Sequence, residues 1–227
     1  MLRKWENLPP EMQMPEVKEY YDLLSKKKLQ LVLKRVFDVT VSFLLLVLLF
    51  PVFTVLAIAI KLDSKGPVFY RQIRVTRYGE KFRIFKFRSM VTDADKGSLL
   101  TVGGDSRITR TGKFIRKYKL DELSQLLDVF RGTMTFVGTR PEVPKYVEKY
   151  TPEMMATLLM PAGITSEASV YYKDENELLD GAEDVEKTYL EVVLSDKMKY
   201  NLAAIRSFSL IDDIKVMILT VLEVFRK

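Results

Sequence analysis

From Thr40 to Ile60 the chain reads TVSFLLLVLLFPVFTVLAIAI, with no charged residue. As a helix this run is about 30 Å long, the thickness of a bilayer's hydrocarbon core. Such uniform apolarity predicts a membrane element rather than a buried soluble helix, and the run is too long and too far from Met1 for a secretory signal. Lys26, Lys27, Lys28, Lys34 and Arg35 precede it, and Lys61, Lys65, Arg71, Arg74 and Arg77 follow it. Positive residues favour the cytoplasm, so both ends make the same claim. Pro51, near the centre, withholds an N–H from the carbonyl of Val47 and predicts a kink. Two topologies stay open: a re-entrant turn that enters and leaves one leaflet, and an ordinary crossing with a tolerated proline.

Other stretches carry weaker periodicities. Residues 29–37 and 210–226 mix apolar residues at helical spacing with Lys and Arg, as an interfacial helix or a core helix would. Residues 1–25 hold Pro9, Pro10 and Pro15 and predict a loosely attached extension. PVFYRQIRV and KFRIFKFRSM read as basic strands. In the second, Phe82, Ile84, Lys86 and Arg88 share one face, so Lys86 and Arg88 form either a phosphate-binding pair or a solvated edge. In KYKLDELSQLLDVFRG, residues 117–132, Leu120, Leu123, Leu127 and Phe130 predict the buried stripe of a short helix. Asp121, Gln125 and Asp128 then lie on an adjacent face, with Asp121 and Glu122 in the first turn. Gly66-Pro67 and Gly103-Gly104 mark turns, and the chain has neither repeats nor low-complexity tracts.

Composition narrows the chemistry. Among 227 residues, 48% hydrophobic, there is no His and no Cys. That removes disulfides, thiolate catalysis and the usual zinc ligands, and leaves a carboxylate among the few candidate nucleophiles. Any metal should be hard and oxygen-bound, such as magnesium. Lys61–Lys119 carries sixteen basic against five acidic residues, net +11, and Glu142–Asp196 carries four against thirteen, net −9. A basic block attracts nucleic acid, anionic lipid or a phosphorylated substrate, and beside a membrane element nucleic acid becomes the weakest of these. An acid pair behind Arg107, Arg110, Lys113, Arg116 and Lys117 points toward magnesium-assisted phosphoryl transfer at a bilayer surface.

KRVFD (34–38), the proline-broken apolar run, GPVFYRQIR (66–74), FRIFKFRSM (82–90), ITRTGKFIRKYKLDELSQLLDVFRGTM (108–134), FVGTRPE (136–142) and PAGIT (161–165) occur in order. Together they resemble the monotopic phosphoglycosyl transferases, bacterial sugar transferases that start lipid-linked glycan synthesis. The resemblance covers Leu33 to the C-terminus. It implies transfer of a sugar phosphate from a UDP-sugar to polyprenyl (undecaprenyl) phosphate, with release of UMP and use of Mg2+. It also implies a re-entrant helix kinked at Pro51, and a site on the cytoplasmic face of the bacterial inner membrane.

Position by position, Asp121 resembles the nucleophile that forms an aspartyl-phosphosugar intermediate, and Glu122 resembles the magnesium ligand. Lys86 matches the lysine near the diphosphate. Arg88, Arg116, Gln125, Arg140, Pro141 and Lys173 are the substrate-contacting candidates. The chain departs from the pattern at Thr139, where relatives have the first proline of P-R-P, at Lys119 for Ser, at Ser124 for Pro and at Phe50 for Ser. TSEASVYYKDE (165–175) replaces the familiar T-G-W-A-Q-V-N-G-R run, with Lys173 standing where its arginine would be.

The expected fold is α+β and mainly helical, with short strands. Residues 1–32 would form an N-terminal extension, 33–60 the membrane helix, and 61–227 a catalytic domain with an interfacial C-terminal helix. Membrane lipids are expected partners, a homodimer stays open, and nucleic acid is not expected. A catalytically silent anchor or assembly protein that keeps the fold is the other function class, and a membrane-tethered nuclease fits less well.

Overall fold

The computed structural model describes residues 2–92, 106–172, 178–179, 181–182 and 184–225. Its helices include α1 (Pro15–Ser25), α2 (Lys28–Leu48), α3 (Phe50–Asp63), α4 (Arg110–Lys117), α5 (Leu126–Arg131), α6 (Pro144–Val147), α7 (Glu167–Tyr171), α8 (Val185–Thr188), α9 (Ser195–Arg206) and α10 (Leu210–Phe225). The π-helical turn Tyr189–Leu194 joins α8 to α9. The strands are short: β1 (Phe69–Tyr70) pairs antiparallel with β4 (Lys86–Phe87), β2 (Ile73–Val75) antiparallel with β3 (Lys81–Arg83), and β5 (Met134–Val137) parallel with β6 (Ala162–Thr165). The fold is mainly helical α+β, as expected.

The apolar run is not one straight helix. α2 and α3 meet at Leu49 with a 62° bend, and no single described helix is long and apolar enough to cross a membrane. Among the described residues only the bent pair passes that test, and a broken span and a re-entrant turn are both built from such a pair. Pro51 lies in the first turn of α3, where a missing N–H interrupts no ladder bond. The helix restarts with Phe53 N donating to Leu49 O at 2.9 Å.

The α2 helix is inverted relative to a soluble helix. Lys34, Asp38 and Ser42 are buried, whereas Leu29, Val36, Leu44, Val47 and Leu48 are exposed. Residues 29–37 are thus the first half of this helix, not a separate surface helix. The inward residues find partners: Lys34 Nζ donates to Val137 O at 3.0 Å and Asp213 Oδ2 at 2.6 Å. Asp38 accepts from Thr135 Oγ1 at 2.7 Å and Phe136 N at 3.3 Å. Arg35 donates to the carbonyls of Val129 and Phe130 at 2.7 and 2.9 Å, closing the end of α5. KRVFD therefore fastens α2 to β5, α5 and α10. Phe50, Val55 and Leu62 of α3 and Ile211, Ile218 and Leu222 of α10 are likewise exposed. Apolar surface exposed on three helices marks a place where the molecule meets a membrane or another protein.

Three expectations need correction. Residues 2–25 are not loosely attached: Leu8, Met12, Val17, Tyr20 and Leu24 are buried in a core shared with Leu158, Leu159, Leu202 and Ile205. The strand expected over 81–90 breaks after Arg83, because Phe85 N donates to the side chain of Asp128 (Oδ2, 2.8 Å) instead of a neighbouring strand. The stripe expected at Leu120, Leu123, Leu127 and Phe130 is not the buried one. Ser124, Gln125, Leu126, Asp128 and Val129 turn inward and Phe130 is exposed, because Leu120–Gln125 is a 3-10 helix and the α period begins only at Leu126.

Candidate active site

The acid pair sits after a sharp turn. Thr109 caps α4 by accepting from Gly112 N at 2.9 Å, and α4 ends at Lys117. Lys119 then adopts a left-handed conformation, φ 53°, which breaks the helix axis and starts the 3-10 turn bearing Asp121 and Glu122. Lys119 supplies no side-chain cap. β4 packs against this turn, with Phe87 fully buried against Leu56, Ile60 and Ile115. The packing fixes Lys86 next door, directed at the acids.

Lys86 Nζ lies 3.2 Å from Glu122 Oε1 and 4.0 Å from Asp121 Oδ2. Arg140, from the loop after β5, donates to the same Glu122 Oε1 at 2.6 Å. The Asp121, Glu122 and Lys86 side chains are each about one-fifth exposed (18, 20 and 21%), so a small ligand can reach them while most of their hydration is gone. The two acids respond in opposite directions. Burial pushes the Asp121 carboxyl up, and Glu122 adds to the rise; Lys86 and Arg116 pull it down without reversing it. Burial also opposes ionisation of Glu122, but Arg140 and Lys86 together outweigh it and hold that carboxyl well below the usual carboxylate range. Burial lowers Lys86, with Glu122 and Asp121 opposing. The outcome is one firmly ionised carboxylate clamped by two cations, and beside it a second carboxylate with its charge incompletely compensated. A buried, poorly compensated carboxylate is the more reactive toward an electrophile.

The remaining sequence candidates fall in different places. Arg116 lies in the last turn of α4 and acts on Asp121 through its charge. Gln125 is buried at the end of the 3-10 turn. Pro141 is buried, and its carbonyl accepts from Arg74 Nη1 at 3.2 Å. Arg88 does not join Lys86. Its guanidinium is buried and donates to the carbonyls of Ile60, Ser64 and Lys65, at and just beyond the end of α3. Lys173 lies outside the described residues.

Sequence reading assigned no role to Arg74, Glu142 and Tyr189. Arg74 lies 3.9 Å from Glu142, whose other oxygen accepts from Tyr189 Oη at 2.7 Å. Tyr189 begins the π-helical turn, a device that often re-aims side chains at functional sites. The signal was present, since Arg74 and Glu142 lie within GPVFYRQIR and FVGTRPE. What no motif displayed was the distance closed between them.

Asp121 and Glu122 are hard oxygen donors, and among the described residues no three acidic side chains gather into a metal-binding cluster. One or two carboxylates completed by substrate phosphates and water is how magnesium is commonly held, so the donor chemistry fits that ion.

Comparison with known proteins points to one family. The profile of the bacterial sugar transferase family matches residues 29–227. The chain is 36% identical over 202 residues to a UDP-glucose:undecaprenyl-phosphate glucose-1-phosphate transferase of Klebsiella pneumoniae, covering 87% of this chain and 41% of that protein. It is 33% identical over 193 residues to a UDP-N-acetylgalactosamine-undecaprenyl-phosphate N-acetylgalactosaminephosphotransferase of Aeromonas hydrophila, covering 83% of this chain and 43% of the relative. It is 39% identical over 135 residues to a putative undecaprenyl-phosphate N-acetylgalactosaminyl 1-phosphate transferase of Bacillus subtilis, covering 59% and 75%. The chain thus spans about two-fifths of the length of the first two relatives.

Proposed function

Because this chain belongs to the bacterial sugar transferase family, we propose that it transfers a sugar phosphate from a UDP-sugar to polyprenyl (undecaprenyl) phosphate, starting glycan synthesis at the cytoplasmic face of the inner membrane. The observation that carries this reading is the half-compensated Asp121 beside the clamped Glu122, in a molecule whose α2, α3 and α10 leave apolar faces exposed. Soluble donor and lipid acceptor could then meet one site in turn.

In the first step the Asp121 carboxylate attacks the phosphorus that bears the sugar. An Asp–O–P bond forms, the P–O bond to the nucleoside phosphate breaks, and UMP leaves with that bonding pair. In the second step an oxygen of the lipid phosphate attacks the same phosphorus and the aspartyl bond breaks. This regenerates the carboxylate and yields the lipid diphosphate sugar. Lys86, Arg140 and Arg116 attract and orient the donor's phosphates, and the partial burial of the site limits attack by water. Glu122, with substrate oxygens, would hold Mg2+, which when bound supplies neutralisation of the charge that develops on the leaving phosphate. The re-entrant arrangement of α2 and α3 is part of this proposal, since it returns the chain to the leaflet where the nucleotide is found.

Intact-mass measurement with UDP-sugar and no acceptor tests the mechanism. Wild type should gain one phosphosugar and release a stoichiometric burst of UMP, and Asp121→Asn should do neither. Turnover that requires both substrates together, with no adduct and no burst, would replace the covalent route by direct transfer. Failure to release UMP from any UDP-sugar in the presence of polyprenyl phosphate would instead favour the silent anchor.

A further inference from the structure

We propose that Arg88 is a positioning residue: its buried guanidinium clasps the end of α3 and so sets Lys86, two residues earlier in the chain, against the acid pair. Its effect on rate rests on the transferase reading; its effect on where Lys86 stands does not. β4 is only two residues long, and a ladder that short does not by itself hold a side chain in place. The backbone on either side is held by other means. Before Lys86, Phe85 N donates to the buried Asp128 carboxyl at 2.8 Å. After it, Phe87 packs on Phe53 of α3 with ring centroids 5.3 Å apart, and Arg88 N donates to Val68 O at 2.9 Å.

The Arg88 side chain is the tie that reaches the membrane-run helix. It is 5% exposed; Nη2 donates to the carbonyls of Ser64 at 2.7 Å and Ile60 at 3.3 Å, and Nη1 donates to that of Lys65. Among the described residues its side-chain hydrogen-bond partners are all carbonyls. Burying a guanidinium is costly unless its charge is compensated, and here the negative end of the α3 dipole compensates it. A rigid planar fork that meets three carbonyls is fixed in direction as well as in place. Gly66 completes the clasp. Its φ is 129°, and a Cβ there would fall on Arg88 Nη1, so the glycine of GPVFYRQIR leaves room for the guanidinium. The same helix end holds the other half of the site. Asp63 Oδ2 accepts from Thr111 N at 2.7 Å, in the first turn of α4, the helix that leads into Asp121 and Glu122. Lys86 and the acids thus share one mounting, and their 3.2 and 4.0 Å separations depend on it. The terminal donors of Arg88 are spent on α3, which makes its route to the reaction the placement of Lys86 rather than contact with a phosphate.

Amine-reactive labelling of the full chain in detergent, read by tandem mass spectrometry, reports where Lys86 stands without any need for turnover. Lys81, exposed on β3, is the internal standard, and Lys34, 4% exposed in α2, reports general loosening. Arg88→Gln should label Lys86 about threefold faster relative to Lys81 while Lys34 stays protected. Gly66→Ala displaces the guanidinium without removing it and should do the same; it carries the test if Arg88→Gln does not fold. Arg88→Lys keeps a cation at the helix end and should bring labelling back toward the parent rate. In the UMP-release assay Arg88→Gln should lower kcat about tenfold or more, the scale of a misplaced catalytic group. In a Lys86→Gln background the same change should cost less than about twofold of the residual rate, because both act through one side chain. Equal losses in the two backgrounds would make Arg88 an independent contact. Unchanged Lys86 labelling in the folded variants, or a rise shared by Lys34, would make it a helix cap alone. Either result overturns the proposal. A wild type that releases no UMP from any UDP-sugar would instead remove the transferase reading, and the labelling comparison would still decide what holds Lys86 in place.

Discussion

The surroundings of Asp121 disfavour its charge. Its pKa in the folded state is raised, so folding favours the protonated form: the stability it contributes is present below the unfolded pKa and is lost as pH rises through the folded one. Above the folded pKa the charge is a net burden, so Asp121→Asn should abolish UMP release yet raise Tm by about 2–4 °C, measured by scanning calorimetry at a pH above that value. Glu122 has the opposite sign. Its folded pKa is depressed, and its stabilisation is present above the ordinary carboxylate range and lost as pH falls through the folded value. Glu122→Gln leaves Lys86 and Arg140 with a weaker partner and should destabilise by about 2 kcal/mol in denaturant titration, besides lowering turnover strongly. The pH dependence of kcat/KM follows from the same directions. Asp121 should set an acid limb above the usual carboxylate range, and Lys86 an alkaline limb below the usual lysine range, because burial lowers it. Lys86→Arg should move the alkaline limb upward. Asp121, Glu122, Lys86 and Arg140 were all legible in the sequence, because their motifs keep order and spacing. Arg88 was placed with them by strand alternation, but β4 is two residues long and its geometry does not reach Arg88.

At the scale of elements, hydropathy located the long apolar segment but not its break. Uninterrupted apolarity carries no mark at Leu49, and Pro51 signals a bend without saying that it will sit in the first turn of a new helix. The polar residues of α2 were the stronger clue. Lys34, Asp38 and Ser42 lie four apart on one face of a helix whose second half is otherwise apolar, a pattern that places that face against protein. For the re-entrant proposal, single cysteines at Lys28 and Lys65, in a chain with none of its own, should both be labelled from the cytoplasmic side. Labelling from opposite sides would leave a broken span. Pro51→Ala restores an amide N–H at the bend and should shift the population toward a straighter helix, reducing accessibility at one of the two positions.

At the scale of the molecule, the first twenty-five residues were misread because prolines were taken as interruptions. Pro10 and Pro15 instead occupy first turns, of a 3-10 helix and of α1, where proline starts a helix. The buried Met12, Val17, Tyr20 and Leu24 are worth about 1.5–3 kcal/mol each, together comparable to the whole stability of a domain. A chain starting at Lys28 should therefore lose its cooperative melting transition and aggregate in size-exclusion chromatography. This arrangement also dictates a schedule for biosynthesis. α1 packs on Met154–Leu159 and α9, and Tyr20 bonds to Glu153 across 133 positions. At bacterial elongation speeds of roughly 5–20 residues per second, α1 waits roughly ten to forty seconds for α9 to emerge from the ribosome. In that interval α2 and α3 have already left the exit tunnel, with nothing of their own chain to cover them. Under the proposed transferase reading, the bilayer is therefore the first partner this polypeptide meets, and the acid-pair site is assembled afterwards, on a chain already tethered.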